Sequence, residues 1–216
     1  MPSITKLTPQ KRRPNRVNVF VDGAFAFGVN QNVVARFHLS VGKQLTPDQV
    51  AEIAAGEVRQ ECFDKATDYL SRRMHSRMEL SRKLMKREYG QTVIDSVLDQ
   101  LEKLGYVDDA RFAQSRAQSA ADHKHHGKRR AMMELRKAGV KSDVAAKALD
   151  HVYETQDSVA VARELARKKA PSLRRLDPLV ARRRLVGMLQ RRGFDYESIK
   201  PVVDAVLGEV DDVTRD

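Results

Sequence analysis

The segments SRMELSRKL (residues 76–84), GKRRAMMEL (127–135) and ARRRLVGML (181–189) share one pattern and decide the fold. Each begins with a small residue, continues with Arg or Lys at polar positions, and ends on a leucine. The final leucines are Leu84, Leu135 and Leu189, and a more acidic segment follows each of them. Such regular spacing marks one supersecondary unit that is repeated and that buries its apolar face against its neighbours. The sequence therefore predicts an extended array of three helical repeats.

Each repeat is predicted to contain three helices. The first helices cover about residues 64–74, 109–123 and 158–170, and the second helices contain the quoted segments. The third helices carry apolar residues at 3.6-residue spacing, namely Val93, Ile94, Val97, Leu98, Leu101 and Leu104, then Val144, Ala148, Leu149 and Val152, then Ile199, Val202, Val203 and Val206. A glycine that tolerates the left-handed conformation is expected to end each second helix, at Gly90, Gly139 and Gly193.

The N-terminal residues follow a different pattern. Two β-rich runs, residues 15–21 and 24–29, flank Asp22-Gly23, a dipeptide typical of hairpin turns because it tolerates positive φ values. Residues 4–7 are a candidate third strand, since a lone hairpin is marginally stable in water. Thr46-Pro47-Asp48-Gln49 then predicts a helix start with a capping box. A small sheet and one helix are therefore expected before the repeats.

These patterns together predict an all-α fold, a tandem array of three three-helix repeats with a small N-terminal β-hairpin extension. We divide the chain into a hairpin-plus-helix extension (1–57) and repeats 1, 2 and 3 (58–107, 108–156 and 157–210).

The composition favours an anionic partner. The 216 residues include 40 Lys and Arg against 29 Asp and Glu, a formal net charge of +11. Such a charge attracts polyanions or acidic protein surfaces over long distances. Cys62 is the only cysteine, which excludes an intrachain disulfide and a cysteine-based zinc site. No stretch approaches the roughly 18 apolar residues of a membrane span, so a cytoplasmic protein is expected.

The sequence offers no foothold for catalysis. It contains no phosphate-binding loop, no dinucleotide fingerprint and no nucleophile-elbow motif. The cluster of His123, His125 and His126 lies beside Lys124, which would repel a cation, so a solvated loop or helix end is expected. Aromatic residues are scarce and occupy apolar positions, which does not support a platform for single-stranded nucleic acid. We expect a protein that is not an enzyme and that uses no cofactor and no metal.

Charge is segregated by helix. The second helices are basic and the third helices acidic, which predicts one basic and one acidic stripe along the array. Helix dipoles explain basic residues in last turns but not Arg77, Lys128 and Arg182 near helix starts. Few Asn or Gln accompany the basic residues, which favours contact with phosphate or an acidic protein over base readout. The candidate contact residues are Arg72, Arg73, Arg77, Arg82, Lys83, Lys128, Arg129, Arg130, Arg182, Arg183 and Arg184.

Three further stretches of the chain are residues 66–80 (ATDYLSRRMHSRMEL), Leu84 with residues 105–113 (GYVDDARFA), and residues 127–135 with Gly139-Val140. Together they resemble the RecX family, bacterial modulators of the RecA recombinase. The first stretch is similar to the family's opening signature, the second to its next and most specific stretch, and the last to its third. The resemblance covers about residues 60–208, in order and at the family's spacing.

The resemblance implies a helical protein that lies in the groove of the RecA filament on DNA. Such proteins act without catalysis and suppress ATP hydrolysis, strand exchange and co-protease activity, which links them to DNA recombination, DNA repair and the SOS response. We expect a monomer whose partner is the RecA filament, with single- or double-stranded DNA as a further partner. Capping of filament ends, occupation of the groove and disassembly stay open as alternatives. A non-specific architectural protein acting on duplex DNA is the rival interpretation, and a scaffold for another acidic protein is the third.

Overall fold

The structure, a computed structural model, describes the backbone of residues 1–213 and the side chains of residues 1–208. This part of the chain contains one three-stranded antiparallel sheet, ten α-helices and a short 3-10 helix. The mostly helical fold class is therefore confirmed. The chain divides into two compact units. Unit 1 comprises Met1–His75 with Glu79–Val107, and unit 2 comprises Ser76–Met78 with the residues from Asp108 onward.

The sheet of unit 1 confirms the hairpin and its candidate third strand. Strands β1 (Ile4–Gln10), β2 (Arg13–Val21) and β3 (Ala24–Asn30) pair in that order, and Asp22-Gly23 turns between the last two with positive φ. A short helix, α1 (Gln31–Arg36), follows. One face of the sheet contributes to a buried cluster of Ile4, Val19, Val29, Val33, Leu39, Leu45 and Ile53.

Helix α2 (Pro47–Leu70) begins with the predicted capping box: the Gln49 backbone N–H donates to Thr46 Oγ1 at 3.2 Å. It then continues for 24 residues, so the separate helix predicted to begin near residue 64 is wrong. Gly56 lies inside this helix at a close approach to the Phe37 ring, with which a Cβ would collide. The same helix therefore packs Ile53 into the sheet core and, farther along, Cys62 into the core of repeat 1.

Repeat 1 continues with α3 (Arg77–Met85) and α4 (Gln91–Lys103). The predicted role of Gly90 is wrong: Glu88, with φ of 65°, takes the left-handed conformation, and Gly90, with φ of −65°, is the N-cap of α4. The prediction is also wrong for Leu104, the last residue of the predicted stripe, which is 54% exposed because α4 ends one residue before it. The core that remains consists of Cys62, Ala66, Leu80, Leu84, Ile94, Val97, Leu98, Leu101 and Val107.

Unit 2 contains the other two repeats. Repeat 2 consists of α5 (Asp109–Asp122), α6 (Lys128–Lys137) and α7 (Ser142–Tyr153). Repeat 3 consists of α8 (Ser158–Lys169), the 3-10 helix (Ala170–Leu173), α9 (Pro178–Arg192) and α10 (Tyr196–Val213).

The predicted stops and stripes of unit 2 are largely confirmed. Gly139 and Gly193 follow α6 and α9 with φ of 83° and 88°. The predicted stripe of α10 is fully buried, and Leu149 and Val152 of α7 are buried as well. Among the described residues, no helix has both the length and the apolar character that crossing a membrane demands.

Candidate partner-binding surface

The second helices of repeats 2 and 3 meet in unit 2, the start of α6 against the end of α9. The Gly127 backbone N–H donates to the Arg192 carbonyl at 2.8 Å. A Cβ at Gly193 would overlap the Arg130 backbone nitrogen, and a Cβ at Gly127 would overlap the Gly193 carbonyl. Only glycine permits backbones to approach this closely. The two small residues therefore fix how the two basic helices adjoin.

A second set of contacts supports this junction from the loop before α6. Arg192 Nη1 donates to the Lys124 carbonyl at 2.8 Å, and the Tyr153 hydroxyl donates to the His126 carbonyl at 2.7 Å. Burial raises the pKa of Tyr153 to about 12, so the phenol stays protonated as a donor. The loop is held by repeat 3 as well as by repeat 2.

The junction encloses a hollow of about 320 Å³ lined by side chains of both helices. We call it the arginine hollow, and its lining is Arg129, Arg130, Met133, Gln190, Arg191 and Gly193. Arg129 and Arg191 are exposed and make no ion pair with any residue that the structure describes. A guanidinium matches carboxylate and phosphate groups with two parallel hydrogen bonds. The hollow is thus suited to an anionic partner.

A groove of about 890 Å³ continues from the hollow along α6. Arg129 and Arg136 lie in its lining with Met132, Met133 and Phe194, and the carboxylates of Asp150, Glu154 and Asp195 line it as well. Met133 is 59% exposed, and methionine adapts its shape readily to an apolar partner surface. The groove therefore combines charged contacts of both signs with an adaptable apolar contact, whereas the lining of the arginine hollow contains no acidic residue.

Ion pairs join the basic second helices to the acidic third helices within the repeats. Lys128 Nζ lies 2.6 Å from Asp150 Oδ1, and Arg182 Nη2 lies 2.5 Å from Asp204 Oδ1. The predicted separation into one basic and one acidic stripe does not hold at these positions, because the two helices lie side by side. Exposed pairs of this kind contribute little stability, but they do neutralise local charge.

The predicted contact residues fall into two groups. Most are exposed, and Arg77 and Lys83 are half-buried. Arg72, Arg73, Arg82 and Lys83 belong to unit 1, whereas Arg77, Lys128, Arg129, Arg130, Arg182, Arg183 and Arg184 belong to unit 2. The arginine hollow brings together Arg129 and Arg130 from this set. It also includes Arg191 and Met133, which the sequence analysis did not select. From the sequence alone, Arg191 is explained by the helix dipole and Met133 by packing, and no local signal marks either as a residue of a binding surface.

In unit 1, basic residues near α3 contact other side chains of the same unit. Arg73 Nη1 lies 2.8 Å from Glu79 Oε2, and the buried His75 Nδ1 lies 3.0 Å from the same oxygen. Burial lowers the pKa of His75 despite this carboxylate. Lys83 Nζ lies 4.5 Å from the centroid of the Tyr69 ring. These side chains stabilise the turn between α2 and α3, where the sequence predicted partner contact.

The histidine loop is more ordered than expected. His123 is exposed, but His126 is half-buried, and its Nδ1 lies 3.3 Å from Glu134 Oε1 without hydrogen-bond geometry. Lys124 Nζ holds the other oxygen of Glu134 at 3.0 Å. The expectation of a solvated loop or helix end is therefore wrong for His126, whose ring is half-buried next to Glu134. No group of three metal-binding side chains occurs among the described residues.

Comparisons with known proteins cover nearly the whole chain. Its residues 2–46 match the family model described as Regulatory protein RecX N-terminal domain. Residues 62–101, 108–149 and 156–203 match the models of the first, second and third three-helix domains of RecX.

Relatives and a solved structure agree with these matches. A protein called Regulatory protein RecX from Bacillus subtilis is 31% identical over 215 residues, which is 100% of this chain and 81% of the relative. One of the same name from Leuconostoc mesenteroides is 30% identical, over 98% of this chain and 79% of the relative. A structure titled "Crystal structure of regulatory protein RecX" superposes with a TM-score of 0.79 at 24% identity, covering 94% of this chain and 100% of the other. That likeness shows a shared fold.

Proposed function

Because this chain belongs to the RecX family of regulatory proteins, we propose that it is a negative modulator of the RecA recombinase. It binds in the groove of the RecA–DNA filament and suppresses ATP hydrolysis, strand exchange and co-protease activity. It acts in the cytoplasm as a monomer, by binding rather than by catalysis, in DNA recombination, DNA repair and the SOS response.

The observation that carries the proposal is the arginine hollow. Two basic helices from different repeats present their guanidinium groups to one concave surface, where Arg129 and Arg191 have no intramolecular ion pair among the described residues. A filament presents the same acidic or phosphate groups at regular intervals along its length. Several weak contacts by one rigid unit then add up to tight binding through high effective concentration.

Inhibition follows from binding one arrangement of the filament better than another. ATP turnover requires neighbouring subunits to rearrange, and a ligand shifts such an equilibrium only by its differential affinity for the two arrangements. The close backbone contact between Gly127 and Gly193 keeps α6 and α9 in a fixed relation. A surface of fixed geometry favours the filament arrangement that it fits and opposes the others.

A charge-reversal experiment tests this proposal. The double variant Arg129→Glu/Arg191→Glu changes two exposed residues of the hollow, and Arg163→Glu/Arg175→Glu changes the same charge elsewhere in unit 2. RecA ATPase on single-stranded DNA is titrated with each protein, and filaments are imaged in parallel. We expect inhibition to be lost in the first variant and kept in the second, with circular dichroism confirming equal helicity. Full inhibition by the first variant would overturn the proposed surface.

The net charge of +11 supports a second candidate function, non-specific binding to duplex DNA. Counterion release makes such binding fall steeply with salt concentration. Duplex binding is therefore measured across salt with and without RecA. Saturable, strongly salt-dependent binding without RecA, together with unchanged RecA ATPase, would favour this candidate over the first.

A further inference from the structure

Just over half of the formal net charge of this protein falls in the small N-terminal sheet region, because acidic residues are nearly absent there. Residues 1–47 include seven Lys and Arg and one acidic residue, Asp22, which gives a formal net charge of +6 out of the total +11. The rest of the chain carries 33 Lys and Arg against 28 Asp and Glu. The basic residues of the region are Lys6, Lys11, Arg12, Arg13, Arg16, Arg36 and Lys43. Arg16 pairs with Glu57 and Glu61 of α2, so the excess of cations over acidic residues in the sheet region is carried by the other six.

A row of three side chains crosses the outer face of this sheet. Lys6 of β1 pairs with Phe20 of β2, which in turn pairs with Phe25 of β3. Side chains paired directly across strands share a face. The Phe20 and Phe25 ring centroids lie 5.9 Å apart at 78°, and Lys6 Nζ lies 5.9 Å from the Phe20 centroid. Phe25 is 59% exposed, so the row ends in an accessible aromatic ring.

A register shift explains why this ring points outward. Val19 pairs with Phe27, but the next residue, Phe20, pairs with Phe25, which leaves Ala26 as an extra residue on β3. Such an irregularity reverses the face on which the following side chains lie. Phe27 packs on the core whereas Phe25 lies on the opposite face, although strict alternation places both on one face. The expectation that the aromatic residues occupy apolar positions is therefore wrong for Phe25.

Polar and cationic groups continue from the aromatic row along the sheet. The next row pairs Thr8, Asn18 and Gly28, and Gln10 Nε2 donates to Asn18 Oδ1 at 2.8 Å. At the far end the turn between β1 and β2 carries the exposed residues Lys11, Arg12 and Arg13. Extended strand separates Arg13 from Phe20 by about 23 Å at the usual rise per residue. A short oligonucleotide strand spans that distance.

We propose that this outer face binds single-stranded nucleic acid. A base stacks on the Phe25 ring, and the backbone phosphates lie along Lys6 and the basic turn. An aromatic ring and a cationic track on one surface fit a base and its phosphate together. In duplex DNA the base faces are already stacked on one another and are not accessible to Phe25. An acidic peptide would contact the cationic groups but would not stack on the ring. The proposal is independent of RecA and goes beyond the function proposed above.

A tryptophan reporter tests stacking directly, because the chain contains no Trp. Phe25→Trp places one reporter in the row, and Tyr106→Trp places one at a control position of the same unit that is 63% exposed. Short oligo-dT and oligo-U strands are titrated against each full-length protein, which also distinguishes DNA from RNA. We expect quenching of the first reporter and little change in the second. Equal responses of the two reporters would contradict stacking.

Affinity measurements supply the second arm. Fluorescence anisotropy with labelled oligo-dT should show a loss of about five- to hundredfold for Phe25→Ala and for Phe25→Leu. An abasic strand of equal length should bind wild type and Phe25→Ala with the same reduced affinity. Replacing Lys11, Arg12 and Arg13 by Ala should reduce the salt slope by roughly two. Wild-type affinity in Phe25→Leu, or equal binding of abasic and normal strands by wild type, would overturn the proposal.

Discussion

Two basic surfaces of this protein, the outer face of the sheet and the arginine hollow, reach positive charge by different routes. The sheet region is basic because acidic residues are nearly absent, with Asp22 alone against seven Lys and Arg over residues 1–47, of which Arg16 pairs with Glu57 and Glu61 of α2. The helices are rich in both signs, and many of their cations are paired, as Lys128 is with Asp150. Long-range attraction depends on the net charge, whereas contact depends on which groups lack a partner. The outer face of the sheet is therefore suited to attracting anions from a distance, whereas the arginine hollow is suited to contacting an anionic group through a few positioned guanidinium groups.

The largest expected effect is a loss of folding stability when the junction of α6 and α9 is disrupted. Such a variant also distinguishes the two surfaces, because only the arginine hollow lies at this junction. Gly193 has φ of 88°, and a Cβ at this position would collide with the Arg130 backbone nitrogen. Gly193→Ala should cost about 2–4 kcal/mol, from backbone strain and the collision together. The matched change Gly208→Ala, in α10 with open space around it, should stabilise by about 0.5–1 kcal/mol. Chemical denaturation measures both.

The same pair of variants sharpens the comparison between surfaces. Gly193→Ala should lose RecA inhibition, because it disturbs the hollow, and should retain oligo-dT binding, because the sheet lies in unit 1. A free energy of unfolding equal to that of wild type would show that the close approach at Gly193 is dispensable.

A smaller effect is expected from acid, which should weaken the packing of His126 beside Glu134, the carboxylate that also pairs with Arg130 of the arginine hollow. Burial lowers the pKa of His126 below its ordinary value of 6.5, although Glu134 opposes this shift. The unfolded state therefore binds the proton more readily, so stability is fully present above pH 6.5 and is lost as pH falls below it. The loss between pH 7.5 and 5.5 is at most about 1.4 kcal/mol for this group.

Denaturation at the two pH values checks this expectation. His126→Gln should flatten the dependence, whereas the exposed His123→Gln should leave it unchanged. The buried His75 of unit 1 has a pKa lowered in the same direction, so part of the dependence should persist in both variants. An identical pH profile for wild type and His126→Gln would contradict the assignment.

The smallest effect is expected for the ion pairs between second and third helices. Lys128 and Asp150 are both more than half exposed, so a double-mutant cycle to Ala should give a coupling of about 0.2–1 kcal/mol. Raising the salt concentration should reduce it further. A coupling well above this range would show that charge pairing, rather than the unpaired arginines of the hollow, organises this surface.

The fold was largely predictable because the repeat pattern depends on local sequence. Apolar spacing and the Thr46 capping box depend on neighbours within a few residues, and both are confirmed. The wrong predictions of helix boundaries arise where packing or backbone conformation elsewhere determines where a helix begins or ends. The helix predicted to begin near residue 64 is instead the second half of α2, which packs Ile53 and Cys62 into two different cores, and Gly90 begins a helix because Glu88 already takes the left-handed conformation.

The candidate surface was less predictable, since it depends on which side chains meet across repeats. Nothing near Arg191 in the sequence indicates that it joins Arg129, and this follows only from the backbone contact of two distant glycines. Likewise, the outward position of Phe25 depends on a register shift that strand alternation does not reveal.

The most direct test of the central claim is RecA ATPase on single-stranded DNA, titrated with wild type, Arg129→Glu/Arg191→Glu and Phe25→Ala. We expect wild type and Phe25→Ala to inhibit and the charge-reversed protein to leave ATP hydrolysis at its uninhibited rate. Undiminished inhibition by Arg129→Glu/Arg191→Glu, or no inhibition by wild type, would contradict the account.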